Sequence, residues 1–274
     1  MLSKIILGFI FTIGLAVEVY SQENIPYGSN DGTYVNMLET KIYYEEYGTG
    51  VPLFLLHGGF GSIGNFKDLI PKLSEYYRVI LLDRPGHGRS EHADSLSYEL
   101  MAKYHSKFLD LLDIDSAYLI GRSDGGCTSF LLAYLRPDVI KKMVVIGSNS
   151  NRNAWTNEGS SSITPEIVEN EWGGWLKDYQ SKSPQPELWE KFIIDTDKMF
   201  KEEVIISKDE LGDIHTPTLI VQGDRDPFIK LEHSLELHGS ILNSELCIIP
   251  GSGLNPVMEK PNIVIELMMD FLRK

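Results

Sequence analysis

The stretch LIGRSDGG, Leu119–Gly126, turns from an apolar run into a helix-like run within a few residues. The segment leading into it, SAYLIGRS (116–123), is apolar on both faces, as a strand covered on each side would be. The segment leaving it, CTSFLLAYLRP (127–137), has helical character and stops at a proline. A serine flanked at two residues' distance by glycines, at a strand-to-helix junction, makes a sharp turn that only small residues at 121 and 125 allow. The hydroxyl of Ser123 would then stand at the helix N-terminus, where amides and dipole favour developing negative charge. Ser123 is therefore the candidate nucleophile.

Apolar runs of the same design lie on either side. KIYYEEYG (41–48) reads as a strand followed by a bulge or turn, and VPLFLLHGG (51–59) as a strand ending in glycines. YRVILLDRPG (77–86), IKKMVVIGS (140–148), TPTLIVQGDRD (216–226) and SELCIIPGSG (244–253) repeat the pattern. Helical patterns such as YELMAKYHSKFLDLL (98–112) alternate with them. The alternation predicts an α/β, doubly wound, mostly parallel sheet. Functional loops of such sheets leave the carboxyl ends of the strands, which is where HGGFGS, DRPGHGRS, GRSDGG, GDRD and GSGLNP fall.

One segment breaks the alternation. Residues 149–208 hold two helix-like stretches and all four tryptophans. They are expected to form a helical lid inserted after the sixth strand, with residues 22–148 and 209–274 as the body. Each indole has a plain use in packing lid onto body. As a group they make Trp155, Trp172 and Trp175 candidates to line a ligand pocket.

Two further loops carry candidate chemistry. HGGFGS offers the amide of Gly59 or Phe60, facing that of Asp124, as an oxyanion hole, since glycines let backbone approach a ligand. GDRDPF offers Asp226, and less directly Asp224, as a carboxylate to orient an imidazole; a turn aspartate capping the next helix is the plainer use.

Taken together and in this order, HGGFGS, DRPGHGRS, GRSDGG, PTLIVQGDRDPF and IPGSGLNPVMEKP resemble the α/β-hydrolase superfamily over nearly the whole chain. The resemblance implies a serine hydrolase with Ser123 as nucleophile, Asp226 as the acid and Gly59 and Asp124 as oxyanion amides. It also implies a histidine directly after the second glycine of a G-x-G-H motif. Here the run is Gly251-Ser252-Gly253-Leu254, so Leu254 occupies the histidine position. His57 and His87 sit on loops at the same sheet edge, but the family carries both alongside its usual base. The elbow SDGG further resembles that of valacyclovir hydrolase-like α-amino ester hydrolases. In those, the acid after the nucleophile meets a substrate ammonium. A first-turn aspartate satisfied by the helix dipole is the equal alternative for Asp124.

Composition narrows the partners. The chain has 274 residues, 42% hydrophobic, with formal net charge −14 and no basic stripe, which argues against nucleic acid and leaves a small molecule as the expected ligand. The start, MLSK then IILGFIFTIGLAV then VYSQ, has the layout of a signal peptide over residues 1–21. Export to a periplasm or the medium is expected, with an uncleaved membrane anchor as the alternative. The two cysteines, Cys127 and Cys247, read as buried free thiols, and no cysteine–histidine cluster has metal spacing. No metal or cofactor is expected. The resulting expectation is an exported hydrolase of small carboxylic esters, among them amino-bearing ones, working through an acyl-enzyme. The alternative is an inactive relative that binds a small apolar ligand under the lid.

Overall fold

The computed structural model describes residues 32–274; the signal-peptide expectation for residues 1–21 lies outside them. Eight strands form one sheet: β1 (Thr33–Met37), β2 (Thr40–Tyr47), β3 (Val51–Leu56), β4 (Tyr77–Leu82), β5 (Ala117–Arg122), β6 (Ile140–Ile146), β7 (Thr218–Gly223) and β8 (Ser244–Ile249). Their order across the sheet is β1-β2-β4-β3-β5-β6-β7-β8. β1 and β2 pair antiparallel, as do β2 and β4; every pairing from β4 to β8 is parallel. This is the α/β-hydrolase fold.

The predicted strands are all present, with earlier ends. β3 stops at Leu56, so His57–Gly59 belong to the loop that follows it. β1 has no counterpart among the predicted runs. It is a short edge strand with a largely exposed face, so it lacks the apolar density that marks the central strands. It is also the strand that makes β6 the sixth.

The helices are α1 (Ile70–Leu73), α2 (Tyr98–Leu111), α3 (Asp124–Leu135), α4 (Pro165–Glu171), α5 (Gly173–Lys182), α6 (Trp189–Phe200), α7 (Lys208–Gly212), α8 (Leu231–Ser240), α9 (Pro256–Glu259) and α10 (Pro261–Arg273). Alternate strand residues feed two cores. Phe54, Leu56, Leu119 and Val145 face the side of α2 and α3; Leu53, Leu55, Ile120 and Val144 face α1 and α10. That period-two division is why the central strands read as continuous apolar runs. α4, α5 and α6 all fall between β6 and β7, and their Val168, Tyr179, Phe192 and Ile193 join the α2–α3 core.

Cys127 is buried on α3, Cys247 is half-buried on the edge strand β8, and both are free. Among the described residues no helix is long and apolar enough to cross a membrane, and no cluster of three or more acidic, histidine or cysteine side chains is placed to hold a metal.

The turn from β5 into α3 is packed backbone against backbone. A Cβ on Gly125 would lie 1.9 Å from the Leu56 carbonyl oxygen, and one on Gly121 would lie 2.5 Å from that of Gly125. Neither clash can be relieved by rotating a side chain. Gly125→Ala is therefore expected to destabilise the protein by about 3 kcal/mol or more. Thermal unfolding should show a melting temperature lower by roughly 6–12 °C; a change of less than about 2 °C would mean that the β3 end and the elbow are not in contact.

Candidate active site

Ser123 has φ 52° and ψ −123°, a strained backbone for a residue with a side chain. Its amide donates to the Ile146 carbonyl at 2.8 Å, which ties it to the end of β6. Its carbonyl caps α3 by accepting from Gly126 and Cys127, and it also accepts from Ser148 Oγ at 3.0 Å. The hydroxyl is thereby turned toward the loop after β3. A Cβ on Gly58 would lie 3.6 Å from Ser123 Oγ, so that loop passes directly against the Ser123 hydroxyl.

The next residue along, Gly59, lies between two side chains. A Cβ there would come 2.3 Å from Asp124 Oδ2 and 2.4 Å from Phe200 Cζ. Asp124 is buried, and its Oδ1 accepts from the Tyr98 hydroxyl at 2.9 Å. Its Oδ2 lies 3.8 Å from Arg84, whose guanidinium is wholly buried and makes no hydrogen bond among the described residues. The Gly59 amide is near enough to favour the charged carboxylate, without completing a hydrogen bond of ordinary geometry. Burial pushes the Asp124 pKa up, while Arg84, Tyr98, Gly59 and Arg122 oppose it. Asp124 is thus held under the loop by Arg84 and Tyr98. Neither partner was singled out in the sequence. Arg84 lies inside the quoted DRPGHGRS, but nothing in that motif says where its side chain goes. Tyr98 opens a helix and carries no local signal.

Asp226 and Leu254 meet at Gly147, at the end of β6. A Cβ on Gly147 would lie 3.3 Å from Leu254 Cδ1 and 3.5 Å from Asp226 Oδ2. The residue before Gly147 holds the Ser123 amide, so all three sequence-derived positions gather at the ends of β5, β6 and β7. The Asp226 oxygens are occupied: Oδ1 accepts from the amides of Phe228 and Ile229 at 2.8 and 3.1 Å, and Oδ2 from Gln222 Nε2 at 2.8 Å. Burial raises the Asp226 pKa against those three donors. Asp224 does something else. Its Oδ1 accepts from Gly251 and Ser252, at 2.6 and 3.3 Å, and so staples the loop that carries Leu254. Glu259 clasps the same loop through Gly253 and Asn255.

All seven histidines are described, and no hydrogen bond links any of them to Ser123 or Asp226. His57 accepts the Arg84 amide at Nε2, and its Nδ1 meets the Gly58 carbonyl. His87 donates from Nδ1 to Pro85, and its Nε2 has no partner. Burial, with the Arg84 charge nearby, holds both far below the usual imidazole pKa.

The three tryptophans take different places. Trp175 packs on Phe60, Tyr179 and Phe192, and its Nε1 donates to the Phe60 carbonyl at 2.6 Å. It lines a cavity of about 110 Å³ together with Phe60, His87, Tyr179 and Phe192. Trp172 packs edge-on against Phe60. Trp155 packs on Phe200 and lines a far smaller void of about 10 Å³.

Residues 51–163 match a family model described as the alpha/beta hydrolase fold. The chain is 26% identical over 269 residues to a 2-hydroxy-6-oxo-6-phenylhexa-2,4-dienoate hydrolase of Comamonas testosteroni, covering 85% of this chain and 91% of the relative. It is 25% identical over 247 residues to an sn-1-specific diacylglycerol lipase of Mus musculus, covering 80% of each. Among solved structures, a meta-cleavage product hydrolase from Pseudomonas fluorescens superposes with a TM-score of 0.77 at 22% identity, over 88% of this chain and 97% of the other. Sheet order, elbow geometry and these matches agree on the α/β-hydrolase fold. The relatives matched by sequence are named as hydrolases and a lipase.

The buried histidines give a pH test. His105, whose Nδ1 meets the Met101 carbonyl, is lowered by burial from 6.5 to about 4. A folded pKa below the unfolded one means stability that is present above pH 6.5 and lost as the pH falls toward 4. For His105 alone the loss is on the order of 3 kcal/mol. Asp83 works in the opposite sense, being raised to about 6 by burial, so its protonation offsets part of that loss. Imidazole nitrogen shifts followed by NMR should find His57, His87 and His105 neutral at pH 5.5. A protonated signal from any of the three at that pH would contradict its burial.

Proposed function

We propose that this chain is an exported serine hydrolase of small carboxylic esters, reacting through Ser123, with Leu254 standing where the general base would be. The observation that carries the reading is the left-handed Ser123, set between the Gly58–Gly59 loop and the Gly147 corner where Asp226 and Leu254 meet. In the reaction, Ser123 Oγ adds to the ester carbonyl carbon. The oxyanion falls to the amides of Gly59 or Phe60 and of Asp124. The alcohol departs, and water then releases the acid from the acyl-enzyme. Ester cleavage by the diacylglycerol lipase relative supports the bond type.

The proton is the difficulty. An imidazole takes it from the serine and hands it to the leaving group. Leu254 can do neither, so the proton passes to water and the serine attacks as a near-neutral hydroxyl. Loss of one triad member removes roughly six orders of magnitude, with about 10³–10⁴ over the uncatalysed reaction left from the remaining site. The Arg84–Asp124–Tyr98 cluster also bears on the substrate. Asp124 is already paired, so an amino group on the ester adds little attraction.

A second reading is favoured by the Asp226 environment. Its oxygens accept from Gln222, Phe228 and Ile229, so the carboxylate is held without an imidazole. On that reading the chain binds a small apolar ligand beneath the inserted helices, which act as a lid, and turns nothing over. The 110 Å³ cavity walled by Phe60, Trp175 and Phe192, with Asn65, Asp178 and Lys182 on its polar side, has room for a small ligand.

The two readings separate on p-nitrophenyl acetate. Under the hydrolase reading the chain without its first 21 residues shows slow turnover that Ser123→Ala abolishes. Leu254→His should then raise kcat/KM at least about 10³-fold. Turnover that survives Ser123→Ala removes the assigned nucleophile. A Leu254→His variant that folds and gains nothing sinks the hydrolase reading and leaves the binding one.

A further inference from the structure

Phe60 stands where a turn asks for glycine. The Gly61 amide donates to the Gly58 carbonyl at 3.2 Å, closing a turn in which Phe60 is the second central residue, at φ 52°. That position favours glycine, because a Cβ there crowds the backbone. Glycines flank it on both sides, yet neither Gly59 nor Gly61 has the positive φ. A phenylalanine in that place must therefore be held by its side chain.

The aromatic rings that meet it all come from the helical insertion. The Phe60 ring is met edge-to-face by Trp172, Trp175, Phe192 and Phe200, with centroids 5.5, 5.5, 5.8 and 5.6 Å away and planes between 79° and 89°. Such pairs are the favoured aromatic geometry. The backbone is held as well, since the Phe60 carbonyl accepts from Trp175 Nε1 at 2.6 Å. On its other side the same turn touches the reactive residues. Gly58 packs on Ser123, and Gly59 is pressed between Asp124 and Phe200.

We propose that Phe60 is a latch through which the inserted helices set the oxyanion loop. It is a positioning residue: its ring sits in the insertion, its carbonyl is tied by Trp175, and the two together orient the Gly59–Phe60 peptide. Docking of α5 and α6 and the shape of the turn are then one equilibrium. The catalytic consequence rests on the hydrolase reading above; the mechanical coupling does not. Because coupling between two elements is reciprocal, loosening either side loosens the other.

Two variants of the whole chain test this from opposite sides. Phe60→Gly removes the ring while giving the turn the residue its backbone prefers, so relief of the turn offsets part of the cost of the vacated ring site. The latch predicts amide hydrogen exchange in α5 and α6 faster by at least about 10-fold. It also predicts that kcat for Ser123-dependent p-nitrophenyl acetate hydrolysis falls at least about 10-fold with KM changed by less than about 3-fold. Trp175→Phe keeps a ring but removes the N–H. In that variant the amides of Phe60, Gly61 and Ser62 should exchange at least about 10-fold faster. Unchanged exchange in α5 and α6 of Phe60→Gly, or in the turn of Trp175→Phe, overturns the latch. Loosened helices with unaltered kcat overturn the positioning role. A chain with no Ser123-dependent turnover at all would remove the hydrolase reading, while the two exchange measurements would still decide the latch.

Discussion

Everything at the reactive end of this sheet depends on a close approach of backbone to backbone. The end of β3 and the start of α3 touch at Leu56 and Gly125, and the corner between β5 and α3 is closed by Gly121 against Gly125. Because no side chains separate these segments, Ser123 is forced into a left-handed conformation that a serine avoids by choice. The strain is sustained by burial: α3 is a core helix, with ten of its twelve residues buried. The cost of an awkward turn is thus carried by a helix that has nowhere else to go. The same contact brings Gly58 to the serine, so the placing of Ser123 and of the loop after β3 share one cause.

The fold was legible because its signals are local and repeated. Parallel strands covered on both faces read as near-continuous apolar runs, and β3 to β7 carry such runs within six or seven residues each, with their few charged residues close to the strand ends. β1 escaped notice because an edge strand with a wet face needs no such density. The elbow was legible because the geometry of its turn dictates its glycines. The partners of Asp124 were not. Arg84 and Tyr98 reach it from a loop and a helix 40 and 26 residues away in sequence, and a buried charge pair leaves no period or spacing to read. Likewise Gln222 looks like one more residue of β7 until its amide is found on Asp226.

That buried pair changes what the carboxylate beside the serine means. An isolated Asp124 would draw a cation toward the nucleophile. With Arg84 at 3.8 Å and Tyr98 donating to it, its field is largely cancelled before any ligand arrives. Burying two charges so deeply gives no reliable gain in stability, since desolvation offsets much of the attraction. Their better-defined effect is positional: Asp124 Oδ2 and the Phe200 ring both crowd the space where a Gly59 side chain would stand.

Leu254 has to be weighed against this degree of order. The loop that carries it is neither slack nor degraded: Asp224 staples its first residues and Glu259 clasps those on either side of the leucine. Asp226 is held by three donors, two on Oδ1 and one on Oδ2. A serine and a phenylalanine at positive φ, Ser123 and Phe60, stand at the same end of the sheet as the close backbone packing of Gly121 and Gly125. Strained backbone of this kind persists only where its surroundings over-determine it, and it clusters at functional sites. Leu254 is part of that ordered end: its side chain packs at the Gly147 corner beside Asp226, so the leucine is built into the arrangement rather than left beside it.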